Sequence, residues 1–165
     1  DGLNIYLNIL AILIVLIAFV ALGNSILGSL PDVGGSALTL ERIAGWIFAP
    51  IAWLMGIPWG EALTAGSLLG IKSVLNEFIA YLQLAQTPVG TGVGAISEHS
   101  RLILTYALCG FANFASIAIQ IGGIGSLAPE RRADLARFGL RAVLGGSIAT
   151  LMTATIAGVL LTLGG

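Results

Sequence analysis

The sequence predicts an all-α integral membrane protein, built from transmembrane helices together with a re-entrant helical hairpin and a discontinuous helix. Of its 165 residues, 57% are hydrophobic and only 9% are charged, and the mean hydropathy is +1.01. Soluble domains carry about 25% charged residues, and so few charges could not cover the surface of a water-soluble globule. The charges also fall in clusters, separated by uncharged stretches long enough for the ~20 residues of a membrane helix.

Composition excludes several other classes of protein. Seven Lys and Arg against eight Asp and Glu give a net charge of −1, which argues against nucleic-acid binding. The high apolar content excludes a disordered chain. A single cysteine excludes an intrachain disulfide and a metal site built from several cysteines. Because the chain begins with Asp1 and Gly2 rather than with Met, we expect it to be part of a longer polypeptide.

The first two segments are predicted to be a transmembrane helix (residues 1–30) and an interfacial helix (residues 31–58). Residues 2–31 carry no charge, and the apolar centre of this stretch suits a scaffold that faces lipid or another subunit. Thr39 is placed to cap the second helix. Trp46 and Trp53 lie seven residues apart and therefore on one face, as in a helix at the outer membrane surface.

Residues 59–87 carry the first candidate functional side chains. The apolar arms on either side of Lys72, Asn76 and Glu77 are each too short to cross a bilayer core of about 30 Å, which favours a re-entrant hairpin. One continuous helix with a buried polar band is the alternative. A carboxylate at membrane depth costs at least ~2.5 kcal/mol, so Glu77 needs a partner, a proton or a function. The candidates are an ion pair with Lys72 and a polar ligand or coupling cation, and both can apply at once.

Residues 88–101 read as a polar, glycine-rich loop, and residues 102–129 as an uncharged but interrupted span. The loop is not a phosphate-binding loop, because no Lys-Ser/Thr follows its glycines. In the span, Asn113 and Ser116 share a helical face, whereas Phe111 joins them only if the helix breaks near Gly110. A broken span opposite a hairpin is how secondary transporters build a site at the membrane midplane.

Residues 130–141 form the most basic connection, and residues 142–165 form the last span. The connection holds four of the seven Lys and Arg residues, so the positive-inside rule predicts that it is cytoplasmic. In the last span small residues recur every four positions and predict close helix packing. They are Ala142, Gly146, Thr150, Ala154 and Gly158.

Three motifs resemble those of the concentrative nucleoside transporter family. Residues 70–81 read Gly-Ile-Lys-Ser-Val-Leu-Asn-Glu-Phe-Ile-Ala-Tyr, close to the family signature Gly/Ala-x-Lys-x-x-x-Asn-Glu-Phe-Val-Ala. Residues 109–116, Cys-Gly-Phe-Ala-Asn-Phe-Ala-Ser, are similar to the second hallmark, and residues 125–132 also fit. The departures are Ile79 in place of Val and Ala115 in place of a frequent Ser. The resemblance covers nearly the whole chain.

The resemblance implies a function and a set of site residues. Family members are homotrimeric symporters that bring nucleosides into the cell with Na⁺ or H⁺, which implies a multi-pass protein of the bacterial inner membrane. By similarity, Glu77, Asn113 and Ser116 would hydrogen-bond the ribose, and Phe111 would pack against the nucleoside. Independently of the resemblance, Lys72 and Asn76 are candidates for a structural role or an ion pair. No resident metal, cofactor or enzymatic activity is expected.

Two other classes of function stay open at this stage. The chain could form a channel or pore along the glycine-rich broken span, or a structural subunit that does not transport. An intramembrane enzyme is poorly supported, because no Ser-His-Asp set or metal-ligand spacing accompanies His99 and Cys109. The family's base- and ion-binding hairpin would lie before residue 1, so purine or pyrimidine preference and the coupling ion are not predicted.

Overall fold

The computed structural model describes residues 2–92 and 94–164, and this part of the chain is helical apart from short connections and isolated β-bridges. Seven α-helices and one short 3₁₀ helix, Pro129–Arg131, account for it. In order, the α-helices are α1 (Gly2–Leu27), α2 (Leu40–Leu54), α3 (Trp59–Val74), α4 (Glu77–Gln86), α5 (Glu98–Leu108), α6 (Phe114–Leu127) and α7 (Arg132–Gly164).

Polar side chains fix the connection between α1 and α2. The amide nitrogen of Asn24 donates to both carboxylate oxygens of Glu41, at 3.1 and 3.0 Å, and the Leu40 N–H donates to Asn24 Oδ1 at 2.8 Å. The hydroxyl oxygen of Thr39 accepts from the Arg42 N–H at 3.2 Å, as its predicted role as a helix cap requires. The start of α2 is therefore tied to the end of α1.

Helices α2 and α3 form an antiparallel pair that packs through small residues. Ala44 lies against Gly70, and Ala49 against Gly66, so later positions on α2 meet earlier positions on α3. A Cβ atom added at Gly66 would overlap the carbonyl oxygen of Gly45. The tryptophans of α2 remain exposed, as the predicted interfacial helix requires. The small residues of α2 pack along α3, a contact that the sequence did not predict.

Two breaks divide the middle of the chain. The first break is at Leu75 and Asn76, between the end of α3 at Val74 and the start of α4 at Glu77. The second lies between the end of α5 at Leu108 and the start of α6 at Phe114. The predicted polar loop 88–101 ends earlier than expected, because Ser97 caps α5 and residues 98–101 are already helical. The Glu61 carboxylate accepts from the N–H and hydroxyl of Ser97, at 3.0 and 3.1 Å, and joins the starts of α3 and α5.

Helix α7 is longer than the predicted last span. It begins at Arg132, so the residues expected to form a basic cytoplasmic loop are helical almost throughout. The predicted face of small residues packs as expected: Gly146 lies against Ala112, Thr150 against Gly110, and Ala154 is fully buried. By length and composition, the described segment Pro129–Leu163 is able to cross a membrane.

The core lies where α2, α3, α5 and α7 meet. Its largest fully buried side chains come from α3, α5 and the connections that precede them. They are Ile57, Leu68, Leu69, Ile96, Ile103, Leu104 and Leu108. This core holds the ends of α3 and α5 side by side, and the two breaks in the chain are therefore close together.

Candidate functional site

The site is formed where the N-termini of α4 and α6 meet. Glu77 is the first residue of α4, and Asn113 is the N-cap of α6, 36 positions later. The side-chain amide of Asn113 donates to Glu77 Oε2 at 2.7 Å. Asn113 is only 3% exposed, whereas Glu77 is partly buried. The structure thus brings together two of the four residues that the resemblance assigns to the substrate.

Both helix starts are made by an asparagine in the same way. Asn76 and Asn113 have extended backbones, and their side-chain oxygens accept from the backbone N–H three residues ahead, at 3.0 Å from Ile79 and 2.7 Å from Ser116. Asparagine is among the best N-cap residues because its short side chain satisfies an N–H that the helix leaves free. Each asparagine therefore caps a new helix within an otherwise apolar segment.

The two helix N-termini stabilise the charge of the Glu77 carboxylate, and this group still has an acceptor available for another hydrogen bond. A helix N-terminus carries partial positive charge, so two of them stabilise the Glu77 carboxylate. Among the described residues, the hydrogen bond to this carboxylate falls on Oε2, which leaves Oε1 as an acceptor. An asparagine amide has two N–H donors, and only one of them is directed at Glu77. The pair can therefore accept from a hydroxyl group and donate to one.

Ser116 and Phe111 lie on the other side of the same helix start. The Ser116 hydroxyl donates to the Asn113 carbonyl at 2.6 Å and accepts from the Asn113 N–H at 3.3 Å, completing a capping box. The Ser116 hydroxyl proton is thus already engaged in a hydrogen bond at the start of α6. Ser116 and Phe111 line a groove of about 750 Å³ between α6 and α7, and Phe111 is 75% exposed. Glu77 and Asn113 are not part of this groove's lining.

Lys72 forms its hydrogen bond with the backbone of α5. The residue is only 3% exposed, and its ammonium group donates to the Ala107 carbonyl at 3.1 Å. Within residues 2–92 and 94–164, the salt bridge is Arg131 with Asp134, so Lys72 and Glu77 do not form a direct ion pair, although their charges remain close enough to attract. The buried lysine finds its partner on a neighbouring helix end because α3 and α5 end side by side.

Comparison with known sequences identifies the family. The family described as Na⁺ dependent nucleoside transporter C-terminus matches residues 1–158. The chain belongs to the concentrative nucleoside transporter family. Membership in this transporter family also places it in a membrane.

Three relatives illustrate the breadth of the family. An uncharacterized transporter of Bacillus subtilis is 51% identical over 158 residues, covering 95% of this chain and 38% of the relative. The nucleoside permease NupC of Helicobacter pylori is 42% identical, covering 98% of this chain and 39% of the permease. Sodium/nucleoside cotransporter 1 of Rattus norvegicus is also 42% identical, covering 95% and 25%. The chain therefore spans between a quarter and two fifths of these relatives.

Solved structures of this concentrative nucleoside transporter family have the same fold. CNTnw in an inward-facing substrate-bound state is 44% identical, with a TM-score of 0.79, covering 93% of this chain and 37% of CNTnw. A variant of CNTnw in a state called intermediate 3 gives a TM-score of 0.84 at the same identity, covering 96% and 39%. The agreement extends over nearly the whole chain.

Sequence reasoning missed one side chain beside this candidate site. The Tyr81 hydroxyl donates to the Thr105 carbonyl in α5 at 2.6 Å, one turn after Glu77 on the same face of α4. The available signal was this spacing of four from Glu77. Its partner is a backbone carbonyl, and the sequence does not indicate which carbonyl groups are free to accept a hydrogen bond. His99 lies in the first turn of α5, and Cys109 is an exposed free thiol at the second break.

Proposed function

We propose that this chain supplies the ribose-binding half of a secondary active transporter that moves nucleosides into the cell together with Na⁺ or H⁺. The observation that carries the proposal is the 2.7 Å contact between Glu77 and Asn113 at the meeting point of two helix starts. Vicinal ribose hydroxyls donate to a carboxylate and accept from an amide, which matches the groups left available there.

The names of the relatives support the proposed substrate and the proposed coupling ion. The rat relative is named a sodium/nucleoside cotransporter and the Helicobacter pylori relative a nucleoside permease. Their names favour nucleosides as substrates and Na⁺ as a coupling ion. Phe111, exposed beside Ser116, would then pack against the nucleoside. Ser116 would act chiefly by holding Asn113 in place and would offer its remaining lone pair to the substrate.

The arrangement in the membrane follows from the breaks. We propose that α3 and α4 form a re-entrant hairpin with Glu77 near the midplane, and that α5 and α6 form one discontinuous span. Backbone that is not helical is tolerated at that depth only inside protein or beside a wet cavity. Helix α1 would be the scaffold at a homotrimer interface, and the exposed tryptophans of α2 would face the outer leaflet of the bacterial inner membrane.

The experiment that tests the proposal compares Glu77→Gln with Glu98→Gln in the full-length transporter, reconstituted in liposomes. Both residues are the first of a helix, so both substitutions remove the same favourable interaction with a helix start. Uptake of uridine should fall at least about tenfold in Glu77→Gln, because hydrogen bonds to a charged group are lost. Glu98→Gln, which changes an exposed side chain, should transport normally.

The substrate analogue completes the test. Uptake of 2′,3′-dideoxyuridine should be slow in the unaltered transporter and should change little in Glu77→Gln, since this analogue lacks the hydroxyls that the carboxylate binds. Equal loss for both nucleosides would contradict ribose recognition by Glu77. A saturable uptake that needs a cation gradient supports the symporter, whereas an ohmic current without nucleoside would favour a pore.

A further inference from the structure

The last turn of α5 has a buried side, with Ala107 and Leu108, and an exposed side, with Thr105 and Tyr106, and its last carbonyl groups need hydrogen-bond donors. In a longer helix, the Cys109 N–H would donate to the Thr105 carbonyl; here it turns to the Tyr106 carbonyl instead, at 3.2 Å. The Thr105 carbonyl thereby loses its helical donor, and the Ala107 carbonyl has none because the helix ends at Leu108. Unsatisfied carbonyl groups away from water are costly, so donors must come from elsewhere.

Two side chains of the α3–α4 unit supply these donors. Tyr81 donates to the Thr105 carbonyl at 2.6 Å, and Lys72 donates to the Ala107 carbonyl at 3.1 Å. A cation also suits this position, because Lys72 stands in the last turn of α3 and beside the end of α5, and both helix ends carry partial negative charge. The two donors thus bind two carbonyls of the last turn of α5.

The same unit contributes Glu77, midway between these donors in sequence. Lys72 and Tyr81 bind α5 just before the five-residue interruption 109–113, and Glu77 binds Asn113 at its end. Three hydrogen bonds therefore span the interruption from both sides. We infer that Lys72 and Tyr81 are positioning residues, which fix the end of α5 so that Asn113 meets Glu77 in the geometry that binds ribose. This inference rests on the ribose site proposed above.

The test measures substrate selectivity rather than activity alone. In the full-length transporter in liposomes, the readout is Vmax/KM for uridine divided by Vmax/KM for 2′,3′-dideoxyuridine. We expect Lys72→Met to lower this ratio about tenfold and Tyr81→Phe about threefold, since each loses one hydrogen bond, charged in the first case and neutral in the second. Lys72→Arg, which keeps a cationic donor, should recover part of the ratio.

Two matched variants control for general damage. Ser73→Ala alters the residue next to Lys72, and the Ser73 hydroxyl donates within α3, to the Leu69 carbonyl. Tyr106→Phe alters an exposed tyrosine of α5. Both should keep the ratio of the unaltered transporter. A purely structural role for Lys72 and Tyr81 would lower the amount of folded protein and leave the ratio unchanged.

The possible outcomes separate this inference from the proposed function. If Glu77→Gln lowers the ratio but Lys72→Met and Tyr81→Phe do not, the inference is overturned and the ribose site stands. If Glu77→Gln leaves the ratio unchanged, the ribose site itself is overturned, and the inference with it. Should Lys72→Met fail to fold, Tyr81→Phe decides alone, because it removes one oxygen from a side chain that is only partly buried.

Discussion

At the scale of single residues, Asn113 performs two tasks with one amide group. Its oxygen accepts from the Ser116 N–H and starts α6, while its nitrogen donates to Glu77. An aspartate at this position could perform the first task but not the second, because it would set two carboxylates against each other. The residue type is therefore dictated by the combination of a helix cap with an acidic neighbour.

This reasoning predicts the outcome of a charge exchange. Asn113→Asp should reduce uridine uptake strongly, although the helix cap is kept. The double variant Glu77→Gln with Asn113→Asp places an amide opposite an acid again, so it should transport more uridine than either single variant. Uptake into liposomes measures this recovery. Losses that simply multiply in the double variant would contradict a direct interaction between the two side chains.

Sequence reasoning could predict the acid and the amide but not every contact around them. Asparagine before an apolar run is a recognisable helix start, and a carboxylate in an apolar stretch requires an explanation. The assignment of Glu77 and Asn113 to one site came from the family motifs. The partner of Lys72 could not be predicted. It is the Ala107 backbone carbonyl, which is free to accept only because α5 ends at Leu108, and the sequence does not indicate that end.

At the scale of helices, α2 and α3 depend on glycines for their close approach. A methyl group at Gly66 would overlap the Gly45 carbonyl oxygen and lie 2.7 Å from the Ala49 nitrogen, whereas one at Gly60 would meet nothing within 4 Å. Both glycines belong to α3. The tryptophan pattern could predict that α2 has an outward face, but glycine content alone did not reveal which helix its inward face contacts.

The two glycines provide a matched prediction. Gly66→Ala should destabilise the protein by about 2 kcal/mol, because backbone atoms must separate to admit the methyl group. Gly60→Ala should be neutral or stabilising by up to about 1 kcal/mol, the usual gain in helix propensity. Thermal unfolding of the purified transporter in detergent measures both. Equal melting temperatures for the two variants would show that α2 and α3 do not pack this closely.

At the scale of the whole molecule, the distribution of charge predicts the orientation in the membrane. Four of the seven Lys and Arg residues lie between residues 130 and 141, at the start of α7, whereas the glycine-rich connection before α5 holds none up to Arg101. The proposed breaks bring the chain back to the side from which the hairpin entered. The connection at residues 87–97 and the start of α7 should therefore lie on opposite sides.

Cysteine labelling tests this orientation. In a transporter without its native cysteines, Thr91→Cys and Arg137→Cys place single thiols at two exposed positions. A membrane-impermeant maleimide added to intact cells should label position 91 and leave position 137 unlabelled until the cells are opened. Labelling of position 137 in intact cells would reverse the assignment.

The length of α7 has a consequence for following transport in real time. Its 33 residues measure about 50 Å, some 20 Å more than a bilayer core of about 30 Å. We expect the surplus to lie at the basic start of α7, continuous with the segment that packs against Ala112 and Gly110 beside the break. A fluorophore attached to this basic start should then report any movement of the helix beside the proposed site, without touching the nucleoside.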